Sequence, residues 1–171
     1  MGWLRGLTLV VLAAVAVEAA EEWSWVLDEN FGEVGRGRNE VREPMDVALA
    51  PDGVVAVVDR DREALVLFSD SGRWLRSFGG PRGEGDLSLR RPSAVGVDGE
   101  GRLWVVDTGN HRIVVTGTDG RIVNTVGSLG TAEGRFRYPS DVTFGRDGRV
   151  YVADTGNDRI QVFSTQGRFL E

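Results

Sequence analysis

Asp107 and Arg112 stand five residues apart around the turn Thr108-Gly109-Asn110-His111. Asp154 and Arg159 repeat that spacing around Thr155-Gly156-Asn157-Asp158. A carboxylate and a guanidinium flanking a tight turn can pair with each other and satisfy the turn's amides. Acid–base chemistry is the other use of such a pair, but a catalytic set is seldom copied into successive units of one chain. The four residues are therefore read as structural turn pairs. His111 is the one histidine of the chain, and Asp158 takes its place in the second copy. A lone imidazole falls short of the roughly three protein ligands a catalytic zinc uses. Cysteine is absent, which excludes disulfides and thiolate metal sites. No metal site and no cofactor is expected.

The elements that position these residues are repeated too. Arg91–Gly127 returns as Tyr138–Glu171, and a worn copy, Glu43–Gly79, precedes both. The anchor prolines Pro44, Pro92 and Pro139 are 48 and 47 residues apart. A period in this range marks one supersecondary unit copied in tandem. The middle unit holds four short segments rich in β-formers: Ala94–Val97, Leu103–Val106, Ile113–Val115 and Ile122–Val126. Gly-rich turns separate them, and a long connector, Gly127–Tyr138, leads to the next proline. Four antiparallel strands per unit, repeated radially, make a propeller blade. The expected fold is all-β: about three blades of a partial, open ring. The blades span 44–91 (degenerate), 92–138 and 139–171 (short in its last strand). Val41, Leu89 and Phe136, three before each proline, are expected to pack between blades.

Asp-Thr-Gly-Asn-His-Arg-Ile (107–113) and Asp-Thr-Gly-Asn-Asp-Arg-Ile (154–160), with the leading Pro-Ser-x-Val and the final Phe-Gly or Val-Gly, resemble NHL repeats. The first unit departs from the pattern, with Asp59-Arg60-Asp61-Arg62-Glu63-Ala64 at the turn. Its turn, lacking the arginine, should be the loosest. The resemblance implies a β-propeller, commonly six-bladed. It further implies an interaction platform, or an enzyme of the peptidyl-hydroxyglycine lyase type, in which histidines hold zinc.

Arg42, Arg90 and Arg137 lie two before each proline. In such a blade the connector and the second turn emerge on one face. The three arginines should form an arc there beside Asn110, His111 and Asn157. A basic arc can hold a carboxylate or phosphate. The plainer reading is a solvated connector, with Glu40 and Glu43 beside Arg42.

The first twenty residues read as a secretory signal: Arg5, then the apolar run Leu7–Val17, then small residues at Ala19 and Ala20. The expected location is secreted or periplasmic, with no membrane association after cleavage. Segment 21–43 contains Trp25–Gly32, which resembles a unit's outermost strand, followed by a connector. The last unit stops two residues short of its hydrophobic-Gly ending, so a fragment of a longer propeller is expected; a homodimer closing three blades on three is the alternative. The net charge of −6 disfavours nucleic acid, whose binding rests on Lys and Arg.

The leading functional reading is an exported scaffold for protein, peptide, glycan or small anionic ligand. The alternative is a fragment of a propeller enzyme, lyase-like or calcium-dependent lactonase-like. Asp46 and Asp141, two after their prolines, are its candidate ligands, though Ala94 breaks the pattern.

Overall fold

The computed structural model describes residues 41–80 and 87–171. The expected signal and the strand expected at Trp25–Gly32 lie outside them. The described chain folds into three successive antiparallel sheets. The first is β1 (Pro44–Leu49), β2 (Val55–Asp59), β3 (Ala64–Phe68) and β4 (Trp74–Gly79), hydrogen-bonded in that order. The second repeats it with β5 (Ala94–Val97), β6 (Leu103–Asp107), β7 (Arg112–Thr116) and β8 (Ile122–Val126). The third contains β9 (Asp141–Phe144), β10 (Arg149–Asp154) and β11 (Arg159–Ser164). Its expected fourth strand is a short stub: Phe169 bridges Phe163, and Leu170 N donates to Val162 O at 2.8 Å.

Strand alternation builds the interfaces. Val106 lies opposite both Ala94 and Ile113, while Val105 lies opposite Val95 and Val114. These sets point to opposite faces of the second sheet. One face carries Val95, Leu103, Val105 and Val114 onto Ala56, Val58, Leu65 and Leu67 of the first sheet. The other carries Ala94, Trp104, Val106 and Ile113 onto Val142, Val150, Val152 and Phe163 of the third. Every residue of β2, β3 and β6 is buried, as sheets covered on both faces require. Leu89 and Phe136 fill these two interfaces from the connectors, and Val41 is buried against the first sheet's remaining face.

β1, β5 and β9 lie side by side, so the sheets radiate from one line. This is a partial β-propeller. Each blade's connector and second turn therefore share one end of the ring.

Candidate functional site

On that end three fully buried carboxylates, Asp59, Asp107 and Asp154, close the second strand of each blade. Each accepts the main-chain amide of the arginine two before the proline. Arg42 N donates to Asp59, Arg90 N to Asp107 and Arg137 N to Asp154, all at 2.7 Å. Arg112 Nε reaches Asp107 at 2.8 Å and Arg159 Nε reaches Asp154 at 2.9 Å. Asn110 and Asn157 donate their side-chain amides to the same carboxylates at 2.9 and 2.8 Å. The far ends of these donors hold the incoming connector. Arg112 Nη2 binds Ser88 O at 2.8 Å and Arg159 Nη2 binds Ala132 O at 2.8 Å. One buried anion thus ties turn, strand and connector together.

In the first blade no guanidinium reaches Asp59 from the position of Ala64. Amides replace it: Glu43 N and Arg62 N donate at 3.2 and 3.1 Å, beside Arg42 N.

The six candidate ligand residues share this end but not the same freedom. Asn110 and Asn157 have their amide groups committed to the carboxylates and to Ser88 O and Gly130 O. Arg42 pairs with Asp61 at 3.0 Å. His111 accepts the Tyr138 amide on Nδ1 at 3.0 Å, with the two rings 4.4 Å apart edge to face. Arg90 and Arg137 are exposed, and among the described residues no carboxylate pairs with either. The stem of Arg90 crosses Gly109, where a Cβ would come within 2.8 Å of Arg90 Cγ. Gly156 makes the same room for Arg137, at 2.9 Å. The two guanidiniums are thus delivered over the turns by a main chain that is fixed beneath them.

Sequence reasoning did not bring out Tyr138 and Arg91. Both precede a proline and both hold positive φ, 50° and 46°. That conformation is uncommon for non-glycine residues. Tyr138 is half exposed at 51%. A ladder of hydroxyls also runs along the inner rim. Ser93 Oγ donates to Ser140 O at 2.8 Å, Thr108 Oγ1 contacts Pro139 O at 2.8 Å, and Ser140 Oγ lies 2.5 Å from Thr155 Oγ1. Asp46 and Asp141 sit on the innermost strands. Asp46 spends both oxygens on amides, Val47 N at 2.8 Å and Val95 N at 2.9 Å. Among the described residues Asp141 accepts Val142 N alone, at 2.8 Å. Among the described residues no three His, Asp or Glu side chains converge as a metal set.

The NHL-repeat profile matches residues 89–115 and 136–163, the two units built around the Asp–Arg–Asn turn. The chain carries NHL repeats. No curated protein matches it by sequence. Solved structures match its fold. One is a streptogramin B lyase: 19% identity, TM-score 0.58, covering 74% of this chain and 39% of that one. A second is a catalytically inactive virginiamycin B lyase from Staphylococcus aureus with quinupristin: 20% identity, TM-score 0.58, covering 74% and 40%. A third is the nidogen/laminin complex: 20% identity, TM-score 0.55, covering 73% and 45%. The NHL chain thus spans about two fifths of the length of the lyase structures it matches. At these identities the likeness is one of fold alone.

Proposed function

We propose that this NHL propeller is an exported binding scaffold whose connector face engages an anionic group on a protein, peptide or glycan. One observation carries the reading. Arg90 and Arg137 are held over neighbouring turns with exposed side chains and, among the described residues, no carboxylate partner, beside the exposed Tyr138 ring. Guanidiniums bind carboxylate and phosphate in a bidentate way, and an aromatic neighbour adds stacking area. The nidogen/laminin complex is a protein assembly by its description, which supports a protein-binding use of this fold.

The enzyme alternative has less support. Asp46, its first candidate calcium ligand, already accepts an amide on each oxygen.

The test is binding of polyglutamate, heparin and a phosphoserine peptide to the purified protein by interferometry, at low and high salt. At least one should bind, and Arg90→Ala with Arg137→Ala should weaken it about tenfold or more. Unchanged binding of every probe in the double variant sinks the reading. Export is checked separately: N-terminal sequencing of the protein recovered outside the cytoplasm should begin near Glu21.

A further inference from the structure

His111 lies at the end of the ring that carries Arg90 and Arg137. It is the chain's one histidine, and cysteine is absent. It is therefore the one side chain here whose ordinary titration falls between pH 5 and 8. Its two ring nitrogens are used differently. Nδ1 accepts the Tyr138 amide at 3.0 Å. An accepting nitrogen carries no proton, so the proton of the neutral ring sits on Nε2. Among the described residues nothing bonds to Nε2. The Tyr138 amide thus fixes the tautomer, holds the ring edge to face on the Tyr138 ring at 4.4 Å, and leaves one N–H donor over.

Protonation removes the acceptor. An imidazolium carries a proton on each nitrogen, and turning the ring over does not restore a lone pair. Nδ1–H and Tyr138 N–H then meet as two donors, and the contact must open. Two left-handed residues, with φ of 50° and 56°, lose the bond that supports them. The arginines do not depend on that bond. Arg90 N and Arg137 N rest on Asp107 and Asp154 at 2.7 Å, and Gly109 N and Gly156 N donate to Arg90 O and Arg137 O at 2.8 and 2.7 Å. The charged groups around the ring come from both blades. On its own strand Arg112 is paired with the buried Asp107 at 2.8 Å. The stem of Arg90 crosses Gly109, two residues before His111. Arg137 adjoins Tyr138 on the third blade. Among the described residues no carboxylate forms an ion pair with His111.

We propose that His111 is the proton-operated member of an anion site on the connector face. Neutral, it latches Tyr138 to the second blade. Protonated, it releases Tyr138 and joins Arg90 and Arg137 as a third cation, so that an anion binds more tightly as pH falls. The binding half of this inference rests on the anion-binding reading above, whereas the latch stands without it. Because the arginines stay anchored on Asp107 and Asp154, the added charge is not offset by their displacement. An exposed charge of this kind changes affinity by about two- to fivefold. By linkage, a bound anion favours the protonated ring by the same factor.

The experiment compares the full chain with His111→Asn, which keeps an acceptor but takes up no proton in this range. Thermal unfolding without ligand is followed by circular dichroism at about pH 7.5 and about pH 5, either side of the histidine range. Between the two, the parent midpoint should fall by ~2–4 °C more than that of the variant, as expected for one hydrogen bond in a chain of this size. Nitrogen NMR of the single imidazole should place its proton on Nε2 at the higher pH. Heparin binding is measured by interferometry under the same two conditions, because sulfate esters keep their charge throughout. The parent should bind about two- to fivefold more tightly at the lower pH than the variant's own change accounts for. Equal midpoint shifts in the two proteins, or a proton on Nδ1, overturn the latch. Heparin binding with the same pH ratio in both overturns the proton-operated site and leaves the scaffold reading standing. No heparin binding by the parent at either pH counts against the scaffold reading and overturns the proton-operated site with it.

Discussion

Tyr138 donates its backbone N–H to His111 Nδ1 at 3.0 Å, and both residues hold left-handed backbone, with φ of 50° and 56°. Each strained residue supports the other across the junction between the second and third blades. Strain of this kind persists only where the surroundings over-determine it. Here those surroundings include Arg137 N on the buried Asp154 and Gly156 N on Arg137 O at 2.7 Å.

His111 should therefore tolerate asparagine, which accepts a hydrogen bond and adopts the left-handed region more readily than most residues. Valine should not be tolerated, because it removes the acceptor and is β-branched. We expect His111→Asn to stay within ~0.5 kcal/mol of the parent and His111→Val to cost ~2 kcal/mol or more. Urea unfolding of the two variants decides this, and equal losses would show that the hydrogen bond contributes nothing.

The three buried carboxylates should rank in a fixed order. Asp107 and Asp154 each neutralise a guanidinium and accept from donors alone, so an asparagine there turns an NH₂ toward other donors. Among the described residues Asp59 takes main-chain amides without a guanidinium partner. Asp107→Asn and Asp154→Asn are expected to cost ~2–3 kcal/mol each, the range for losing bonds to a charged group, and Asp59→Asn less. The arginines are 29% exposed, which keeps the values below those of fully buried pairs. Denaturant midpoints showing Asp59→Asn as the most damaging of the three would reject the ordering.

Much of the architecture was legible because it is repeated. The proline anchors recur at steps of 48 and 47 residues, the β-rich segments recur in all three units and the Asp–Arg spacing in two of them, and the resulting blades follow from alternation. The contacts that occur once were not legible. Asp46 reaches Val95 across 49 residues, and nothing local in either segment signals the bond. The Tyr138–His111 pair depends on two loops of different blades meeting. Nor can a pattern of apolar residues distinguish the buried Ile113 from the exposed Ile160, since burial depends on whether a neighbour is present. The candidate ligand residues share one end of the blades, but which of them have donors to spare is decided by hydrogen bonds that spacing does not reveal.

Gly120 marks a second close approach between blades. Its φ is 79°, and a Cβ there would overlap the ring of Phe78 in the first blade. Two costs combine in Gly120→Ala: a conformation that suits glycine and a clash with a buried aromatic ring that must shift. A loss of ~2–3 kcal/mol is expected. Phe78→Leu, which frees the space, should make the alanine less costly in a double-mutant cycle. Additive losses would mean that backbone conformation alone is responsible.

Asp98 gives the fold an acid-sensitive point that belongs to the middle blade alone, since Ala50 and Gly145 hold the matching positions. Burial pushes its carboxyl up. Hydrogen bonds from Trp104 Nε1 at 2.8 Å, Arg102 N at 3.0 Å, Arg102 Nε at 2.7 Å and Glu100 N at 2.9 Å outweigh that and hold it below its ordinary value. A carboxylate whose folded-state value is depressed adds stability that is fully present above its unfolded value, about 4. That stability is lost as pH falls through the lower folded value. Asp98→Asn should therefore cost ~1–3 kcal/mol at pH 7, and the gap to the parent should narrow only below about pH 4. Trp104→Phe removes one of the donors, keeps most of the buried ring and should narrow the same gap in part. Denaturant titrations of the three proteins between pH 2.5 and 7 measure it, and a gap that stays constant over that range would show that the charge on Asp98 is not what stabilises the turn.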